Sequence, residues 1–269
     1  MSSAPLARRR LTVTGADDLG AYRVLRIADP HGPPPQPGQF TMLAAAERWG
    51  GGEDERPYLP RALSVARYAQ GECHYLLEDV GPGTRRLCEL DTGDEVLALG
   101  PLGRGFAGPP AGRRAILVGG GVGIAPLAIF QDALEVGGAQ TTVLLGFRDH
   151  ARAEGAALLR DARLATDDGS VGHHGLLTDL LAGELAQVSD AVVYSCGPAA
   201  MLEAVRSLCA EREVPAQLAL EAPMACGFGA CFGCAVTRRG GGYLRVCVDG
   251  PVLDASELDR VDPHAGAPA

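Results

Sequence analysis

Cys226, Cys231, Cys234 and Cys247 lie near the end of a 269-residue sequence, spaced Cys-x4-Cys-x2-Cys and then twelve residues to the last. Four thiolates at that spacing suit a plant-type 2Fe–2S cluster, with three ligands on one loop and a fourth arriving from elsewhere. Iron-bound thiolates carry negative charge that backbone N–H groups must meet. Glycines at 227, 229 and 233 let the loop curl so that those groups point inward. A group of this kind moves one electron at a time, so the rest of the chain must supply a donor or an acceptor. Zinc is the competing occupant. Zinc sites show paired Cys-x2-Cys knuckles or Cys/His mixtures; here only one such pair exists, and no histidine lies between Cys226 and Cys247. A disulfide framework fits less well, because a chain this long builds its own core.

The elements that must position these cysteines fall into three stretches. Through the first hundred residues, short strands are expected at 11–14, 22–27, 39–44, 62–67, 74–80 and 95–99. Turns separate them, the first at 16–20, with a Pro-rich connector at 32–38. Strands this short and frequent predict a small antiparallel barrel. The Gly- and acid-rich excursion from Trp49 to Pro57 reads as an exposed mobile loop. A continuous apolar run, Ala115-Ile116-Leu117-Val118, then enters a glycine-rich turn and a helix to about Val136. Further strands at 141–145, 164–166 and 191–195 alternate with helices, the last at 201–212, as in a doubly wound parallel sheet. After Pro215 the alternation stops, and the remaining fifty-odd residues read as a small cluster domain packed on the rest. The expected organisation is therefore α+β and multidomain. A barrel occupies 1–110, an α/β nucleotide domain 111–215 and a 2Fe–2S domain 216–269.

Four further motifs could bind cofactors. Arg61-Ala62-Leu63-Ser64 places a guanidinium and a hydroxyl on one barrel strand, where they could hold a diphosphate and a flavin edge; taken alone, the tetrad is better explained by a solvated arginine. Gly83 and Thr84 open a short helix whose free N–H groups suit phosphate, and an ordinary turn is the alternative. Gly120, Gly121 and Gly123 follow the first parallel strand, where glycine allows either close approach of a pyrophosphate or tight strand–helix packing. Cys196, Gly197 and Pro198 follow a later strand at its ligand-binding end, with a buried cysteine before a helix as the alternative.

Taken in order, Arg61-x-x-Ser64, Gly83-Thr84, the Gly119 to Pro126 turn and Cys196-Gly197-Pro198 resemble the ferredoxin–NADP reductase superfamily. The run from Glu221 to Cys234, followed by Arg245-Val246-Cys247-Val248-Asp249-Gly250-Pro251, narrows this. It is similar to the electron-transfer subunits of NAD-dependent, two-subunit bacterial dihydroorotate dehydrogenases. Thr166-Asp167-Asp168-Gly169-Ser170 and His173-His174-Gly175 look like the same group, and the similarity covers about residues 11–258. The resemblance implies FAD at Arg61, Ala62, Leu63, Ser64, Leu76, Leu77, Glu78, Gly83 and Thr84. It implies a 2Fe–2S cluster on the four cysteines. Two positions depart from the pattern: Ala62 stands where proline is commoner, and Glu78, an acid near a diphosphate, is expected to point away. The implied reaction begins in an FMN-containing catalytic subunit that oxidises dihydroorotate to orotate in pyrimidine (UMP) biosynthesis. Electrons then pass through the cluster to FAD and leave as a hydride on NAD+, within a two-plus-two heterotetramer. No side chain of this chain need act as acid or base. Two alternatives remain. One is the small subunit of an NAD(P)H:ferredoxin oxidoreductase, sulfide dehydrogenase or hydrogenase, many of which carry aspartate where Cys226 stands. The other is a zinc-stabilised, non-catalytic binding protein.

Composition limits the remaining classes. A net charge of −9 without a Lys/Arg stripe argues against nucleic acid. Hydrophobic residues at 46% suffice for a core, yet no apolar run spans a bilayer. A cytoplasmic location with reduced thiols is expected, and Cys73, Cys88 and Cys209 read as buried structural thiols. Nothing in the sequence separates NAD from NADP. Arg148 could meet a 2′-phosphate or simply be solvated.

Overall fold

The structure, a computed structural model, describes residues 7–50, 56–188 and 190–261. Part of the expected loop between Trp49 and Pro57, residues 51–55, lies outside the described residues.

Six antiparallel strands close a barrel in the order β1-β2-β5-β4-β3-β6. They are β1 (Arg9–Leu19), β2 (Tyr22–Ala28), β3 (Phe40–Ala45), β4 (Arg61–Ala69), β5 (Glu72–Leu77) and β6 (Glu95–Leu102). Helix α1 (Pro82–Cys88) plugs one end, burying Leu87, and Leu90 follows it inward. Two sequence expectations change here. The residues expected to turn at 16–20 instead extend β1 to Leu19, paired with Tyr22, because Arg23 holds Asp18 at 2.8 Å across the hairpin. The strand expected at 74–80 stops at Leu77, and the Val80 N–H goes instead to the Thr84 hydroxyl at 3.0 Å. Cys73 is buried as expected, whereas Cys88 is only half-buried.

The second layer system is a seven-stranded sheet in the order β10-β9-β8-β7-β11-β12-β15. Its strands are β7 (Arg114–Gly120), β8 (Thr141–Phe147), β9 (Ala162–Thr166), β10 (His173–His174), β11 (Ala191–Cys196), β12 (Ala216–Ala219) and β15 (Val252–Asp254). All neighbours are parallel except β12 and β15. Helices α2 (Ala125–Val136), α3 (His150–Ala153), α4 (Leu177–Leu185) and α5 (Ala199–Glu211) supply the crossovers. β11, and β7 after Arg114, are buried on both faces and mostly apolar, as parallel strands covered by helices must be.

The cluster segment is not a separate layer. It leaves the sheet after β12 and carries the two-stranded β13 (Ala235–Thr237) and β14 (Tyr243–Arg245). It returns as β15, the antiparallel edge strand. Its β12 lies beyond the expected boundary at 215 and is hydrogen-bonded to β11. Cys234, Leu244, Val246 and Cys247 share one apolar core with sheet residues such as Val118 and with Phe40, Met42 and Leu102 of the barrel. That explains why β3 is buried on both faces while β4 is not: the barrel interior covers one side of β3 and the shared core the other.

Candidate cofactor sites

The flavin tetrad lies at the start of β4, where residues alternate between the barrel interior and its outside. Leu63 packs into the barrel core, whereas Ala62 is exposed and Ser64 half-buried. Arg61 donates to the Leu59 carbonyl at 2.6 Å and lies 5.9 Å from the centre of the Trp49 ring. Burial lowers its pKa, and among the described residues no carboxylate meets its charge. The Trp49 indole N–H beside it is buried without a partner among the described residues. Among the described residues, a guanidinium without a carboxylate next to a donor without an acceptor fits an acceptor-rich group such as the diphosphate of FAD.

Gly83 is buried against the same guanidinium, and a Cβ there would come 2.3 Å from Arg61 Nε. The Thr84 hydroxyl is committed to the loop: it accepts from Val80 N–H and donates to the Gly81 carbonyl at 3.1 Å. Gly83 and Thr84 thus offer a cofactor their backbone. Leu76 and Leu77 are buried on opposite faces of β5, Leu77 in the barrel and Leu76 in the core shared with the sheet, so their side chains are spoken for. The Glu78 carboxylate accepts from Arg152 Nε at 2.9 Å. Arg152, on α3, also holds Asp149 at 2.6 Å, so this acid's charge is met within the protein and ties β5 to the nucleotide domain.

The glycine turn is divided in its duties. A Cβ on Gly123 would lie 2.6 Å from both the N and Cα of Gly197, and one on Gly120 would lie 2.5 Å from Met201 Sδ. Gly121, with φ +54°, has open space around it. Gly123 therefore gives room to the neighbouring Cys196–Gly197 backbone and Gly120 to the Met201 and Pro198 side chains, and Gly121 and Pro198 are the accessible members. Cys196 is buried, and its thiol is pushed well above the ordinary range by burial and then by the charge of Glu221. Because backbone cannot retreat as a side chain would, Gly123→Ala is expected to cost about 1–3 kcal/mol. The loss should appear as a lower Tm together with a raised KM for NADH in dye reduction.

The four cysteines come together as two pairs. Cys234 and Cys247 are buried with their sulfurs 3.2 Å apart, and Cys231 lies close enough to Cys226 to help lower its pKa. The Cys226 and Cys247 charges also act on one another. Among the described residues, no three His, Cys, Asp or Glu side chains converge on a single ion. Two pairs of thiols match a centre in which each of two irons takes two protein sulfurs. Burial opposes a thiolate at Cys226, but backbone N–H groups of Phe228, Cys231 and Ala230 bring its pKa down to about 6. At Cys247, burial and then the neighbouring Cys234 sulfur push the thiol up to about 12, although the Gly229 N–H also points to it. The positive φ values at Gly227 (79°) and Gly229 (88°) turn these amides toward sulfur. The donor set and its inward N–H groups thus fit a 2Fe–2S group.

Several contacts here carried no signal in the sequence. Arg152 is a single residue outside any motif, and nothing local marked Trp49 as a neighbour of Arg61 or Glu221 as a neighbour of Cys196. Arg245, which opens the Arg245–Pro251 motif, lies 5.3 Å from the Phe232 ring centre and reaches the Gly229 carbonyl at 3.4 Å.

Comparison with known proteins agrees with this arrangement. Residues 221–259 match the iron-sulfur cluster binding domain of dihydroorotate dehydrogenase B. Over 233 residues the chain is 40% identical to the dihydroorotate dehydrogenase B (NAD(+)) electron transfer subunit of Geobacillus thermodenitrificans (strain NG80-2), covering 83% of this chain and 86% of that protein. The corresponding subunit of Bacillus caldolyticus is 39% identical over 232 residues, with the same coverage of each. Among solved structures, the NADH-dependent reduced ferredoxin-NADP oxidoreductase studied for flavin-based electron bifurcation superposes with a TM-score of 0.79. It is 26% identical, over 93% of this chain and 90% of that one. A ferredoxin NADP+ reductase from Neisseria gonorrhoeae with bound FAD and NADP shares the fold at a TM-score of 0.62 and 18% identity, over 76% of this chain and 91% of that one. With flavin barrel, nucleotide sheet and cluster loop matched over most of its length, this chain belongs to the family of dihydroorotate dehydrogenase B (NAD(+)) electron transfer subunits.

Proposed function

We propose that this chain relays electrons between a dihydroorotate-oxidising catalytic subunit and NAD+. The observation that carries the reading is the seating of the cluster loop on the barrel. The all-cysteine loop packs directly against the outer face of β3, the strand hydrogen-bonded to the flavin tetrad of β4. FAD exchanges electrons singly or in pairs, which matches a one-electron cluster to a two-electron nicotinamide.

The protein's own part is to hold and orient. Arg61 supplies the cation for the diphosphate, with the Gly83 and Thr84 backbone beside it and the exposed Ala62–Ser64 face for the flavin ring. Cys226, Cys231, Cys234 and Cys247 supply sulfur, and the amides of Phe228, Ala230 and Cys231 supply the positive ends that stabilise it. Gly121 and Pro198 border the place for NAD. No acid or base is required on this chain, so proton removal from dihydroorotate belongs to the partner. That partner carries FMN in this reading, and the assembly is a cytoplasmic heterotetramer. Among the described residues, no helix is long and apolar enough to cross a membrane.

The test is a visible spectrum of anaerobically purified protein before and after one equivalent of NADH. Flavin and iron–sulfur bands that both bleach are the expected result. A colourless protein, or a flavin that bleaches beside an unchanging metal centre, would return the cysteines to zinc.

A further inference from the structure

We infer that Met42 is the positioning residue that sets the cluster loop against the flavin face of the barrel, an inference that rests on the electron-relay reading above. Met42 on β3 is paired directly with Ala62 on β4. Directly opposed residues of antiparallel strands point to the same face, with Cβ atoms about 4.5–5.5 Å apart. Here that face is the outside of the barrel, and the two neighbours meet different fates. Ala62 is exposed, on the face open to a flavin, whereas Met42 is 1% exposed because the cluster loop lies over it.

The contact is close. A Cβ on Gly227 would stand 2.6 Å from Met42 Cγ and 2.9 Å from its Sδ, with Leu102 Cδ1 at 3.2 Å. Gly227 is the residue after Cys226, and its φ of 79° suits glycine. From a cluster ligand to the flavin strand, the path is one covalent neighbour, one van der Waals contact and one strand spacing. Phe40, paired with Ser64, and Leu102 extend the same covered face into the core that also holds Cys234 and Cys247. Methionine suits this place because its unbranched thioether fills an irregular gap. Truncating it leaves a cavity into which the loop can settle or away from which it can drift.

When bound, FAD and the cluster would supply hydride acceptance and one-electron exchange on either side of this contact. Met42 contributes no electron and no proton to this; it fixes the separation.

The experiment uses the holoprotein and Met42→Ala, with Met42→Leu as the volume-conserving control. Both phases of the NADH reaction are followed by anaerobic stopped-flow absorbance, and amide hydrogen exchange of the cluster loop is measured in parallel. Flavin bleaching should keep its wild-type rate. Cluster bleaching should slow severalfold, exchange at residues 226–229 should rise, and Met42→Leu should restore both. If Met42→Ala loses its iron, Met42→Val is read in the same way. A truncated protein with full iron and flavin whose cluster bleaches at the wild-type rate overturns the inference. Wild-type protein whose flavin or cluster does not respond to NADH instead overturns the relay reading beneath it.

Discussion

Cys231→Ser should lower partner-linked reduction of NAD+ by more than ~100-fold while leaving NADH oxidation by the flavin, read with a dye acceptor, close to wild type. Losing outer-shell support of a metal site already costs about 10–100-fold, and removal of a ligand exceeds that. Cys231 is the informative choice because of where it sits. It is exposed, whereas Cys234 and Cys247 lie in the core shared with the barrel and sheet. Serine at either buried position would confound loss of a ligand with loss of packing. At Cys231 the serine hydroxyl faces solvent, so Tm of the flavin-loaded protein should change little. Iron content, the visible spectrum and the two activities are the measurements. If both activities fall together with FAD retained, the order of electron flow proposed above is wrong.

Arg61→Ala should weaken FAD binding by about 1.5–3 kcal/mol, the usual worth of a hydrogen bond to a charged group. That corresponds to a roughly 10- to 150-fold higher Kd, measured by fluorescence titration of the deflavinated protein. Arg61→Lys should fall between, because lysine keeps the charge but not the planar fork. The sign of the effect without cofactor separates a binding role from a structural one. Arg61 is partly buried, is disfavoured by burial and has no carboxylate partner among the described residues. Removing it from the flavin-free protein should therefore leave Tm unchanged or slightly raised. A marked fall in that Tm would mean that its contacts with the Leu59 carbonyl and the Trp49 ring hold the fold together, and the diphosphate assignment would lose its main support.

What the sequence determined by itself is local. Ligand identity and loop curvature are properties of consecutive residues, so the 226–234 run carried the cluster chemistry unaided. Alternation and continuous apolar runs likewise marked the barrel strands and β7, and α2 ends at Val136 as its pattern implied. The family's motif order placed the flavin tetrad on a barrel strand, where β4 begins with it.

What only the tertiary structure decided depends on which distant segments meet. Gly123 looks like a phosphate-loop glycine until Gly197 is found against it, and Glu78 looks out of place until Arg152 arrives from the other domain. Strands β12 and β15 are too short to announce themselves, yet sheet edges supply the hydrogen bonds that make them strands and bind the cluster segment to the sheet. Met42 is an apolar residue in an apolar strand, with no pattern to distinguish it from Leu43. Its place between cluster loop and flavin strand follows from packing across the chain, because pairing and burial are set by neighbours in space.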